Sequence, residues 1–149
     1  MSYPEQLKLD NQLCFLLYSA SRSMTRRYRP LLDELELTYP QYLVMMVLWE
    51  NQGKTSSIGD IGELLMLDTG TLTPLLKRLE QNGLLNRQRG KDDERRVDVL
   101  LTEKGAALRA KAEQVPLKLQ CDLNVSEEDL QLRDQLMTLL KELNLKLLG

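Results

Sequence analysis

The chain has 149 residues, of which 42% are hydrophobic and 28% charged, and a net charge of −2. That is enough for one domain, or one domain with appended helices, able to bury roughly two-thirds of the surface its unfolded form exposes. The composition excludes a disordered tail or linker. Histidine is absent, which excludes Ser-His and Cys-His catalysis and His-containing metal sites. The two cysteines, Cys14 and Cys121, stand too far apart to form a zinc knuckle alone, so no resident metal or cofactor is expected. No uninterrupted apolar run approaches the ~18 residues of a membrane-spanning helix, and the opening SYPEQLKLDN has no apolar signal core. The expectation is a cytoplasmic chain with reduced thiols and no membrane partner.

In chain order, Leu13, Leu16, Leu17, Ala20, Met24, Tyr28 and Leu31 recur at spacings of three and four, which predicts one helix. Asp10 is its expected N-cap, and Pro30 should kink or end it. Cys14 falls inside this helix, either as a small hydrophobe in a core or as a reactive thiol. Thr38 and Gln41 form a capping box before YPQYLVMMVLWE, which is apolar on every side and predicts a helix buried all round. Ser57 caps a short helix, IGDIGELLM. Asp68 or Thr69 caps the next, TGTLTPLLKRLEQ, which stops at Asn82-Gly83.

There the texture changes. LLNRQR and RRVDVLL predict two strands separated by the polar turn GKDDE. Thr102 then caps TEKGAALRAKAEQV, expected to end before Pro116, and Ser126 with Asp129 opens a last helix. Leu136, Met137, Leu140, Leu143 and Leu147 give that helix an apolar stripe too long for a small lobe to cover. The predicted fold is mainly α with a small β-hairpin wing: a winged helix-turn-helix over 38–102, with dimerisation helices over 9–37 and 103–148.

The helix after Asp68 has the division of faces that a DNA-reading helix needs. Leu72, Leu75, Leu76 and Leu79 share one side, while Thr71, Pro74, Lys77, Arg78 and Gln81 lie opposite, with Thr69 at the N-terminal end. Small polar residues there can reach base edges, and Lys77 and Arg78 can hold phosphate. An ordinary amphipathic surface helix would show the same pattern. The hairpin tips the balance, because Arg87, Arg89, Lys91, Arg95 and Arg96 outnumber Asp92, Asp93 and Glu94 immediately after that helix. Phosphate contacts supply most non-specific affinity for DNA. A solvated charged turn accounts for the charges but not for their position.

IGDIGE, LDTGTLTPLLKRLEQNGLL and the wing RGKDDERRVDVLLTEKG resemble the MarR family of dimeric winged-helix regulators. Within that family, DNQLCFLLYSASRSM, LTYPQYLVMMVLWE and LDTGTLTPLLKRLE are similar to the organic-hydroperoxide-sensing OhrR type. The resemblance is tight from about Asp10 to Gly105 and rests on pattern alone beyond. It implies a homodimeric repressor on a palindromic double-stranded operator, with Arg95 in the minor groove at the wing tip and Asp93 orienting it. It also implies that Cys14 is a redox sensor, with Tyr18 one turn on and Tyr28 and Tyr39 supplied by the other subunit. Thiolate is the form that attacks peroxide, and phenol O–H donors stabilise a thiolate. Cys121 would be the resolving thiol of an intersubunit disulfide, with a buried bystander as its other reading.

Three functions then compete. The first is a repressor that releases DNA when an organic hydroperoxide oxidises Cys14. The second is a regulator of the same family that binds a small aromatic ligand without redox chemistry. The third, a thiol peroxidase, is disfavoured by the absence of histidine and of any α/β alternation.

Overall fold

In the computed structural model, which describes residues 3–149, the first long helix begins later than Asp10 would place it. Asp10 sits in a single 3-10 turn (Leu9–Asn11), and α1 runs Leu13–Asp33 with Gln12 as its N-cap. The side chains flanking the break turn backward: Asn11 Nδ2 donates to the Glu5 carbonyl at 3.0 Å and Gln12 Nε2 to the Gln6 carbonyl at 2.6 Å. Those bonds go with an extended Gln12 (φ −96°, ψ 106°) that separates the turn from the helix. Pro30 does not end α1. It lies on an exposed face, and the buried Leu31 and Leu32 carry the helix one turn further.

The helix α2 (Tyr39–Glu50) opens with the expected capping box of Thr38 and Gln41 and is buried on nearly every side, Met46 being an exposed exception. A two-residue strand, β1 (Ser56–Ser57), leads into α3 (Ile58–Leu65), and α4 (Thr69–Gln81) follows after a tight turn. The wing is β2 (Leu85–Arg89) and β3 (Val97–Leu101), antiparallel, with Arg87 opposite Val99 and Arg89 opposite Val97. β1 adds to the other edge of β3, so the sheet order is β1-β3-β2. Sequence periodicity cannot register a strand of two residues.

Val44 and Met45 of α2, Ile61 of α3, Leu72, Leu76 and Leu79 of α4, and Leu85 of β2 are all at 0% exposure. Truncating any one of the leucines to alanine would cost about 2–5 kcal/mol. At one edge of this core, the indole N–H of Trp49 donates to the Gly105 carbonyl at 2.8 Å. Thr102 caps α5 as expected, but α5 (Glu103–Ala112) ends before the predicted boundary. A further helix, α6 (Gln114–Asp122), carries Pro116 in its first turn, where a missing N–H costs nothing. The expected single helix up to Pro116 is therefore two helices, and Cys121 lies on the second.

The chain divides into two compact units, one ending at Val115 and one spanning Pro116–Gly149. The second holds most of α6 and all of α7 (Glu127–Leu148), opened by the Ser126/Asp129 capping box. On α7, Leu132, Leu136, Met137, Leu139 and Leu145 are exposed.

Candidate nucleic-acid interface and candidate thiol sensor

The helix-turn-helix is assembled by caps. Ser57 and Asp60 exchange bonds, Asp60 N–H to Ser57 Oγ and Ser57 N–H to Asp60 Oδ2, both at 3.0 Å. These bonds from Ser57 hold the Asp60 carboxyl below the usual carboxylate range, with the Arg96 charge adding to them. The turn passes through Met66 in the left-handed region (φ 55°) and delivers Asp68, whose Oδ1 accepts the Thr71 N–H at 2.7 Å. Asp68, not Thr69, is thus the cap of α4, and its bonds from Thr71 hold its carboxyl low.

With Leu72, Leu76 and Leu79 buried, the opposite side of α4 presents Thr69, Thr71, Pro74, Lys77 and Arg78 to solvent. Pro74 stays within the helix, leaving the Gly70 carbonyl without its usual partner. A cleft of about 440 Å³ is lined by Ser57, Gly59, Thr69, Arg95 and Arg96, so the start of α4 and the wing share one groove.

The five basic residues of the hairpin are not equivalent. Arg87 is tied to Glu80 of α4, its N–H, Nε and Nη2 donating at 2.9, 3.1 and 2.9 Å. Those bonds hold the Glu80 carboxyl low. Arg96 bonds Asp98 and Asp60. Among the described residues, the side chains of Arg89, Lys91 and Arg95 have no hydrogen bond or ion pair, and all three are exposed. Asp93 Oδ1 accepts the backbone N–H of Arg95 at 3.0 Å, so it fixes the chain at the wing tip rather than the guanidinium. Sequence reasoning missed Glu80, Asp60 and Asp98. Only Asp60 had a local signal, three residues after Ser57 like the other caps.

Cys14 is the second residue of α1 and is exposed. Tyr18 lies one turn on, also exposed, with the Arg22 guanidinium 5.3 Å from its ring centre. Tyr28 and Tyr39 pack together with ring centres 5.0 Å apart, and Tyr42 joins them at 6.2 and 6.4 Å. Burial first, and the neighbouring Tyr39 second, push the Tyr28 hydroxyl above its ordinary value. Burial does the same to Tyr42, followed by Tyr28 and Tyr39. Both stay protonated at neutral pH and can donate. Cys14 and Tyr28 are fourteen residues apart on one helix, roughly 21 Å along its axis at 1.5 Å per residue. One chain therefore does not bring the thiol to the tyrosine pair.

Among the described residues no group of three His, Cys, Asp or Glu side chains could hold a metal ion, and no helix is long and apolar enough to cross a membrane.

A capped helix-turn-helix followed by a basic antiparallel wing defines a winged-helix regulator. The family described as Transcriptional regulator SarA/Rot matches residues 26–112. The organic hydroperoxide resistance transcriptional regulator of Bacillus subtilis (strain 168) is 52% identical over 143 residues, covering 95% of this chain and 96% of that one. AbfR of Staphylococcus epidermidis has the same fold. In its reduced, DNA-bound structure it is 35% identical over 93% of this chain and 96% of that one, with a TM-score of 0.71. In its disulfide-formed structure it is 37% identical over 93% and 94%, with a TM-score of 0.67. The chain belongs to the MarR family of winged-helix transcriptional regulators, in the organic-hydroperoxide-resistance branch. It is a DNA-binding regulator and not an enzyme.

Proposed function

We propose that the chain is a homodimeric repressor that holds a palindromic operator in its reduced form and releases it when an organic hydroperoxide oxidises Cys14. Two α4 helices enter successive major grooves, with Thr69, Thr71 and Pro74 at the base edges and Lys77 and Arg78 on phosphate. Arg95 enters the flanking minor groove and Arg89 lies along the backbone. The Cys14 thiolate attacks the outer peroxide oxygen, the O–O bond breaks, and an alcohol leaves with a sulfenic acid on sulfur. The thiol of the partner subunit's Cys121 then attacks that sulfur, forming a disulfide and releasing water.

The observation that carries this reading is the position of Cys14. It stands at the start of α1 beside exposed Leu13 and Leu16, outside the core of its own chain, so packing within the chain gives the thiol no role. Structures of reduced DNA-bound and disulfide-formed AbfR add support from a relative.

Cys14→Ser tests it. Serine preserves the volume and the hydrogen-bonding capacity, so folding and binding to a fragment of the chain's own promoter should persist in a gel shift. The variant should stay bound at hydroperoxide concentrations that release the unaltered chain. Release of both at the same concentration would remove the redox mechanism and favour a small-ligand regulator.

A further inference from the structure

Arg96 stands at the junction of the wing with the rest of the lobe. Its Nε donates to Asp98 Oδ1 at 2.7 Å and its Nη2 to Asp60 Oδ2 at 3.3 Å. Asp98 lies on β3 with only 14% of its side chain exposed, whereas Asp60 lies on α3, thirty-six residues before Arg96 in sequence. That same Asp60 oxygen accepts the Ser57 N–H, so the guanidinium joins the capped start of the helix-turn-helix to the outgoing strand of the wing. The backbone of Arg96 closes the hairpin as well: its carbonyl accepts the Gly90 N–H at 2.7 Å, and its own N–H donates to the Asp93 carbonyl at 3.0 Å. A Cβ on Gly90 would stand 2.8 Å from that Asp93 carbonyl oxygen and 3.2 Å from Arg96 Cβ, so the loop is closed as tightly as glycine permits.

Val99 anchors the far part of β3 in the core, but it lies beyond the bridge. β1 contributes two residues of pairing, Ser56 with Val99 and Ser57 with Asp98. A planar guanidinium can serve two carboxylates at once, which a lysine ammonium does less well. The charge of Arg96 is already shared between two carboxylates, one of them largely buried, so a DNA phosphate gains less from it than from an arginine with no acid beside it. Arg95, its neighbour, carries no such commitment among the described residues.

We propose that Arg96 is a positioning residue of the DNA interface: by bridging Asp60 and Asp98 it sets the wing on the helix-turn-helix so that Arg95 is aimed at DNA, and it does not itself bind phosphate. This rests on the DNA-binding reading above. It divides the basic cluster into frame arginines, Arg96 and the Glu80-bound Arg87, and contact residues, Arg89, Lys91 and Arg95.

The test compares full-length Arg96→Gln, Asp60→Asn, their double variant and Arg95→Gln. Binding is measured by anisotropy on a fluorescein-labelled duplex of mixed sequence over a series of salt concentrations. Hydrogen exchange is measured on the free protein. Arg96→Gln should weaken binding about three- to tenfold, with the double variant no weaker than the worse single one. The slope of log K against log salt should stay unchanged in Arg96→Gln and fall by about 0.9 in Arg95→Gln. Exchange at the Gly90 and Arg96 amides should quicken without DNA.

Asp60→Asn discriminates most sharply. Asparagine retains an oxygen for the Ser57 N–H but loses the charge. A frame role predicts weaker DNA binding, whereas a purely electrostatic role predicts tighter binding from the loss of an acid. It also carries the test should Arg96→Gln fail to fold. A slope loss of about 0.9 in Arg96→Gln, or tighter binding by Asp60→Asn, would overturn the inference while leaving the DNA-binding reading intact. Failure of the unaltered chain to bind the duplex would overturn that reading and the inference with it.

Discussion

Replacing Gly105 by alanine should loosen the joint between the core and the wing. A Cβ there would stand 2.0 Å from the Leu84 carbonyl oxygen, 2.9 Å from the Leu84 carbonyl carbon and 3.1 Å from Leu101 Cδ2. Carbon and carbonyl oxygen ordinarily approach no closer than about 3.3 Å, so backbone must move by more than an ångström. The Leu84 oxygen is held by the Thr102 N–H at 3.1 Å, and the Gly105 N–H is held by Thr102 Oγ1 at 3.0 Å. If Gly105 moves instead, its carbonyl leaves the buried indole of Trp49. Overpacking of this kind costs about 1–3 kcal/mol, and an unpaired buried donor about 1–3 kcal/mol more. The combined loss of about 2–6 kcal/mol is a large share of a typical folding stability of about 5–15 kcal/mol. It should lower the melting temperature by roughly 5–20 °C in a chain of this size. Trp49 is the sole tryptophan and is 7% exposed, so its emission reports on this joint while circular dichroism reports on the whole chain. Protein concentration must be fixed, because association alters apparent stability. An unshifted melt with unchanged Trp49 emission would refute the packing argument.

Arg95→Ala should weaken binding to the chain's own promoter by about 1–3 kcal/mol, the loss of one well-formed groove contact, and leave release by hydroperoxide intact; unchanged affinity in a gel shift at moderate salt would mean the wing does not reach DNA. Cys121→Ser should abolish the hydroperoxide-induced covalent dimer on non-reducing gels while preserving the first loss of DNA binding, and persistence of the crosslink would make Cys121 a bystander. Sedimentation at micromolar concentration should give a dimer. A folded monomer there would contradict the proposed assembly.

Features written within three or four residues were legible in the sequence. The caps at Thr38, Ser57, Thr102 and Ser126 each bond a backbone N–H three positions on; Thr38 and Ser126 are legible from the partner at that spacing, Ser57 and Thr102 from the cap residue alone. Asp68 behaves the same way. Features that depend on distant partners were not legible. The start of α1 is fixed by Asn11 and Gln12 reaching carbonyls six residues back, a pattern with no helical period. Pro116 reads as a stop, yet a proline in a helix's first turn fits equally well, so the break between α5 and α6 could not be told from an ending. Charge counting over the hairpin saw Asp92, Asp93 and Glu94 but not the acids that engage its arginines. Glu80 lies on α4, Asp60 on α3 and Asp98 just past the counted stretch. The solvent-facing side of α4 and the basic hairpin after it were therefore legible as a region, while the separation of Arg87 and Arg96 from Arg89, Lys91 and Arg95 required coordinates.

A single chain falls short of the proposed sensor in two independent ways. The first is geometric: α1 is a helix of 21 residues, with Cys14 at its beginning and Tyr28 roughly 21 Å along the axis. Tyr28 is held against Tyr39 and Tyr42, while Tyr42 also packs edge-on to Trp49 at 6.4 Å. Bending α1 back to meet the tyrosines would break its own hydrogen bonds. The second is solvation: Leu13, Leu16 and Met24 on α1 and Leu136, Met137 and Leu139 on α7 are left in water, an apolar display that monomers rarely sustain. In the proposed homodimer one event answers both. Association covers apolar residues at the chain ends, and the tyrosines that approach each Cys14 come from the other subunit. On that reading, oxidation of a thiol would be felt first at the Tyr28–Tyr39 pair of the other subunit, which Tyr42 joins to Trp49, itself bonded to the start of α5. On this arrangement the subunit that is oxidised and the lobe that is first disturbed belong to different chains.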